Sequence, residues 1–290
     1  MDCHETHMAL YAEHFCAPLD AVANRSIKHA TQLHVAARQR SRHEVFKAEI
    51  ESILRRHVRH DTQPTFVFYA GSPGSGKSSV LPKLPQDAVY VSADHFKRLD
   101  PLFLDESASK QVHDASVAAA EQLLAICVST RRNVVFDSTA MWSPFIVATI
   151  RMLRDNRHTY EARIGPKSDL PNEVYWVRKE RTRTPLPSYK VKMWAVYCDV
   201  DVAFARALLR QFLDGRKIPV AVLRRSHKLL RENFELYAAL VDEAVLYDNS
   251  EHMACPAVVA RKAAGGALRV ERAALWAQFR GEWTRVKPRC

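Results

Sequence analysis

The chain has 290 residues, 47% of them hydrophobic and 26% charged, with a formal net charge of +11. This is an ordinary composition for a soluble protein of one large or two small domains. No run approaches the ~18 uncharged apolar residues of a membrane span, and an N-terminus with Asp2 and Glu5 and no apolar core predicts no secretory signal.

Residues 1–62 read as a helical N-terminal extension. Its best segment is Arg42 to His57, where Val45, Phe46, Ile50, Ile53 and Leu54 make an apolar stripe, with Ser41 as N-cap and Glu44 completing a capping box. From Pro64 the pattern changes to strands at 65–70, 88–92, 133–137, 191–197 and 243–248, alternating with helices near 77–84, 105–129, 143–155, 201–214 and 220–240. That alternation predicts an α/β fold: a doubly wound, mostly parallel sheet with helices on both faces, its core spanning residues 63–254. Two segments interrupt it. Residues 157–190, rich in Pro, Arg and Lys and containing Arg178, Lys179, Arg181 and Arg183, read as an insertion, either a solvated hairpin or a lid. Residues 255–290 read as a small hairpin around Gly265-Gly266 followed by a helix with Leu275, Trp276 and Phe279.

The chemistry starts at the end of the first strand. Gly71-Ser72-Pro73-Gly74-Ser75-Gly76-Lys77-Ser78, followed by Ser79, is a complete GxxxxGK[ST] phosphate-binding loop behind the apolar run Thr65–Ala70. Three of the chain's 8 glycines lie in it. Glycines let the backbone wrap a phosphate chain with its N–H groups inward. Lys77 can reach the β- and γ-phosphates, and the Ser78 hydroxyl can ligate Mg²⁺. A nucleoside triphosphate, ATP or GTP, is the expected ligand, and the basic charge balance favours anionic partners, nucleic acid among them.

Asp137 ends the third strand, where a carboxylate can hold Mg²⁺ or cap a helix. Asp94 closes the second strand and can accept a proton from an attacking hydroxyl or, again, cap a helix. Arg210, on a helix, and Arg216, beyond its glycine end, suit a lid over a triphosphate or a solvated helix end. The 6 cysteines lack CxxC spacing and the histidines lack zinc spacing, so reduced thiols in a cytoplasmic protein are expected.

These elements together resemble the zeta toxin family of P-loop kinases, over about Phe66 to Ser250. The loop has that family's form. Asp94-His95-Phe96-Lys97 with Asp100-Pro101 is similar to its Asp-x-Phe-Lys/Arg…His-Pro element, Asp137-Ser138-Thr139 stands where it has Asp-Ser-Thr, and Arg216-Lys217-Ile218-Pro219 matches its Arg-x-x-Pro element. The resemblance implies a kinase that moves a γ-phosphate to a hydroxyl. Asp94 is implied as base, Lys97, Glu121 and Thr139 as substrate-binding residues, Ser78 and Asp137 as metal-holding, and Lys77, Arg210 and Arg216 as charge-stabilising. It also implies a UDP-N-acetyl amino sugar as acceptor and an antitoxin-like inhibitor protein as partner. The alternatives are a nucleotide or dinucleotide acceptor such as NAD, or a nucleic-acid-binding NTPase. Asp100 in place of the family's histidine, and Pro82 early in the helix after the loop, depart from the pattern.

Overall fold

The computed structural model describes residues 41–57, 62–80, 87–103, 109–163, 174–181, 184–214, 218–251 and 255–281. The expectations for residues 1–40, Pro82, Arg183 and Arg216 lie outside these. A first helix, α1, covers residues 41–56. There follow β1 (Thr65–Gly71), α2 (Lys77–Val80), β2 (Val89–Ser92), α3 (Ala93–Leu99), α4 (Ser109–Ser129), β3 (Val134–Ser138) and α5 (Ser143–Arg154). Then come β4 (His158–Ala162), β5 (Trp176–Arg181), β6 (Lys190–Tyr197), α6 (Val200–Asp214), α7 (Val220–Leu240), β7 (Glu243–Asp248), β8 (Ala257–Lys262), β9 (Arg269–Val270) and α8 (Ala273–Arg280).

The main sheet has the order β2-β3-β1-β6-β7-β8-β9. Its first five strands are parallel, while β8 and β9 join antiparallel at the edge. The expected C-terminal hairpin thus extends the same sheet. β1 is apolar throughout because helices cover both of its faces. Phe66 and Phe68 enter the larger core with Phe96, Leu123, Phe136, Phe234 and Leu246. Val67 and Tyr69 turn to the opposite face with Val135 and Val196, against Val80 and Trp194. The chain turns from β1 towards β3 and β2 on one side and β6 and β7 on the other, so a ligand crevice belongs beyond the carboxyl end of β1.

α1 is fastened to this core at several points. Phe46 meets Phe96 edge-on at 5.4 Å, and Arg132 donates from Nη2 to the Leu54 carbonyl at 3.2 Å. Arg42 Nε stands 2.6 Å from Asp100 Oδ2, with side chains 10% and 0% exposed. The two atoms form a contact ion pair without hydrogen-bonding alignment. Asp100 Oδ1 accepts from the Leu102 N–H at 2.9 Å. The departure at Asp100 is therefore a buried structural charge. Ser41 lies inside α1 rather than at its N-cap, so the expected capping box is not found; the Arg42 anchor holds this first described turn instead.

The 157–190 stretch is a hairpin, β4 paired antiparallel with β5, and it is not detached. Tyr160, Tyr175 and Trp176 are buried in the main core. Trp176 Nε1 donates to Thr149 Oγ1 at 3.2 Å. Asp155 ties the base of the hairpin: Tyr160 OH donates to it at 2.5 Å and the Arg157 N–H at 2.9 Å. Burial raises the Asp155 carboxyl, but these donors and His158 outweigh it and bring it down to about 2. The basic side chains Arg178 and Lys179 face outward. Polar composition had concealed an aromatic inner face. Among the described residues, no helix is long and apolar enough to cross a membrane.

Candidate active site

The glycine loop leaves β1 at Gly71 and closes into α2 at Lys77. Its shape requires glycine twice. Gly74 and Gly76 have φ of +79° and +75°, and a Cβ at Gly74 would lie 2.3 Å from the Ala203 carbonyl oxygen of α6. Within the loop, the Ser75 N–H donates to Ser72 O at 3.0 Å and the Ser79 N–H to Gly76 O at 2.9 Å.

Three loop carbonyls are held from outside by distant elements. His227 Nε2, on α7, is 3.0 Å from Pro73 O, which makes it the protonated ring nitrogen. Arg206 Nη1, on α6, reaches Gly74 O at 3.5 Å and also donates to Asn249 O at 3.0 Å. Asn249 Nδ2, just past β7, donates to Ser75 O at 2.8 Å. A planar trans peptide points its N–H opposite its carbonyl. Tying the Pro73 and Ser75 carbonyls outward therefore turns the Gly74 and Gly76 N–H groups inward, which is the polarity a phosphate needs. Ser72 Oγ and Ser75 Oγ are buried here without a hydrogen-bond partner.

Lys77 Nζ forms an ion pair with Asp137 Oδ1 and donates to Ser138 O at 3.1 Å, 5.8 Å above the Tyr69 ring. Tyr90 OH donates to the other oxygen of Asp137. Burial and then the Asp137 charge push the Tyr69 hydroxyl up to about 12, and the same causes raise Tyr90. Asp137 lies in β3, and α5 takes Trp142 as its N-cap, so Asp137 is not the helix cap. Asp94 is likewise no cap: it sits in the first turn of α3, behind Ser92. Asp94 and Lys97 on α3 follow the carboxyl end of β2, and Thr139 follows that of β3, which lies between β2 and β1. Because these strands are parallel, their carboxyl ends share one edge of the sheet with the loop.

The other described candidates are placed as follows. Arg210 is exposed on α6, two turns beyond the Ala203 contact with the loop. Glu121 is buried on α4 at 6% exposure. Ser78 is exposed at the start of α2. Among the described residues, no cluster of three or more His, Cys, Asp or Glu could hold a metal. Ser78 and Asp137 nevertheless offer a hydroxyl and a carboxylate, hard oxygen donors that suit Mg²⁺ alongside phosphates and water. The residues missed from sequence are Tyr90, Arg206, His227 and Asn249. Of these, Tyr90 lay in a predicted strand without an assigned role. Cys127 and Cys198 are buried, their thiols pushed up to about 12, so they are no nucleophiles.

The fold is a mostly parallel α/β sheet with a phosphate-binding-loop motif at the end of β1. The Zeta toxin family model matches residues 48–162, so the chain contains a zeta-toxin-like segment, as the motifs implied. A curated relative from Arabidopsis thaliana, Calmodulin calcium-dependent NAD kinase, is 29% identical over 245 residues, covering 74% of this chain and 46% of the relative. The chain thus spans about half the length of that relative. Among solved structures, the AvrRxo1-ORF1:-ORF2 complex with ATP superposes with a TM-score of 0.57 at 17% identity, over 89% of this chain and 74% of that one. The same complex with sulphate ions gives 0.56 at 18% identity, over 86% and 71%. These two likenesses establish a shared fold.

Proposed function

We propose that the chain transfers the γ-phosphate of ATP to a hydroxyl of a nucleotide-like, anionic acceptor. One observation carries this reading: Lys77, Asp137 and Tyr90 form an ion-paired, hydrogen-bonded cluster beside the glycine loop, with Asp94 after the carboxyl end of β2, next to β3. The loop N–H groups and Lys77 receive the β- and γ-phosphates. Ser78 and Asp137 are the residues to hold Mg²⁺, which supplies neutralising charge on the phosphates when bound. Asp94 takes the acceptor hydroxyl proton as that oxygen bonds to the γ-phosphorus, the bond to the bridging oxygen breaks and ADP leaves. Lys97, Thr139 and Glu121 are assigned to the acceptor side. Arg210 and Arg216 are assigned to closing over the charge that develops. ATP rather than GTP is favoured by the ATP in the AvrRxo1 complex.

For the acceptor we favour a dinucleotide such as NAD, because the relative sharing 29% identity over 74% of this chain is named an NAD kinase. The second reading, a UDP-N-acetyl amino sugar, is supported by the zeta toxin match over residues 48–162. The second chain in the AvrRxo1 complex supports an antitoxin-like partner. Three free described cysteines, Cys127, Cys198 and Cys255, suit a cytoplasmic location.

The test is incubation of the protein with ATP, Mg²⁺ and either acceptor, followed by mass spectrometry, with Lys77→Ala as control. The expected result is one added phosphoryl group on NAD, absent with Lys77→Ala. Phosphorylated nucleotide-sugar would move the reading to the second acceptor. ADP release that rises only with nucleic acid, and no phosphorylated acceptor, would refute the kinase.

A further inference from the structure

We propose that Tyr90 is a positioning residue for the site: its hydroxyl fixes the Asp137 carboxylate so that one oxygen stays presented towards the nucleotide and its metal. The inference rests on the reading of Asp137 as the metal-holding carboxylate. Asp137 is held at both oxygens, Oδ1 by Lys77 and Oδ2 by Tyr90. The two holders differ in what they do next. Lys77 is the residue that a bound triphosphate draws to its β- and γ-phosphates. Its departure uncovers Oδ1, the oxygen then available to Mg²⁺ or its water. A carboxylate held only at the metal can rotate, and each rotation loses alignment.

Tyr90 supplies the second point of attachment, and its own position is firmly set. Its backbone lies in β2, in register with Val135 of β3, while Ser92 is in register with Asp137. Side chains two residues apart on a strand share a face. Tyr90 therefore stands one pleat behind Asp137 on the same face and reaches forward to it. Its ring meets the Tyr69 ring edge-on at 6.4 Å, and Tyr69 is itself in register with Asp137. The residue is 37% exposed, so the hydroxyl contact, not core filling, is the main specific demand on this position. A phenylalanine would satisfy the strand and the Tyr69 contact equally well but could not hold the carboxylate.

The measurement is ATP binding by calorimetry across a Mg²⁺ series, with no acceptor and no turnover needed. Partners that orient a metal ligand usually change metal affinity ~10–100-fold when removed. Tyr90→Phe is expected to raise the Mg²⁺ concentration for half-maximal enhancement of ATP binding ~10-fold. It should have no further effect in an Asp137→Asn background. Tyr90→Leu, which occupies the strand position without a donor, is expected to give the same rise and stands in for the Phe variant if that variant does not fold. An unchanged half-saturation in whichever of these variants folds would overturn the inference alone if Asp137→Asn does raise it. If Asp137→Asn leaves it unchanged, the metal reading of Asp137 falls and this inference falls with it.

Discussion

Asp100→Ala is the sharpest test of how α1 is joined to the core. The Asp100 side chain is 0% exposed, and its partner Arg42 is 10% exposed at 2.6 Å. Removing one member of a buried pair leaves an uncompensated charge and costs about 3–5 kcal/mol. The slight exposure of Arg42 gives the guanidinium some route to water, which argues for the lower end. Loss of the acceptor for the Leu102 N–H at 2.9 Å adds to it. We expect about 3 kcal/mol, a large part of the ~5–15 kcal/mol available to a folded domain. Arg42→Met should cost at least as much, since it strands a fully buried carboxylate. The double variant Arg42→Met/Asp100→Leu should return to within about 1 kcal/mol of wild type, as apolar replacements of buried pairs often do. Urea unfolding of wild type, Arg42→Met, Asp100→Leu and the double variant gives the coupling energy. Asp100→Ala costing under about 1 kcal/mol, or single effects that simply add, would refute the buried-pair account.

Three other outcomes follow from the site. Asp94→Asn should leave ATP affinity intact in a titration and cut phosphoryl transfer ~10²-fold or more; a collapse of ATP affinity would place Asp94 in the metal site. Gly74→Ala combines a positive φ with a Cβ 2.3 Å from a backbone oxygen of α6, so it should cost roughly 2–4 kcal/mol in urea unfolding; wild-type stability would mean the loop does not abut α6. His227 is buried, which lowers its pKa below 6.5, helped by the Arg231 charge and opposed by its bond to Pro73 and by Asp199. A depressed pKa contributes stability that is present above the unfolded value and lost as pH falls through the folded one. Melting temperature should therefore drop below about pH 6.5, and His227→Gln, which keeps a donor to Pro73, should flatten that drop; an equal slope in both proteins would assign it to other groups.

The phosphate loop and the strand pattern were legible because each is local. Glycines at Gly74 and Gly76 state their own backbone demand, and β1 declares burial on both faces by being apolar throughout. Asp94 and Asp137 were placed on one rim because parallel strands must end together. What stayed hidden depends on long-range juxtaposition. Arg206 lies 132 residues from Gly74 and His227 154 from Pro73, and neither belongs to a motif. Tyr90 occupied an outward strand position that reads as ordinary β-sheet aromatic. The hairpin's packing was hidden for a different reason: Arg178 to Arg181 gave it a polar cast, while the few aromatics that bury it, Tyr160, Tyr175 and Trp176, are spread over β4 and the start of β5.

The outward ties on the Pro73, Gly74 and Ser75 carbonyls make the phosphate loop an inner surface of the α6–α7–β7 corner rather than a free-standing turn. Its concave form is already assembled before any nucleotide arrives, so little binding energy goes into ordering it. Thermodynamic reciprocity then works in the other direction. If loosening α7 at His227 weakens triphosphate binding, bound triphosphate steadies α7 by the same free energy. A regulator of this protein thus has a handle on the back of the loop and need never enter the nucleotide site.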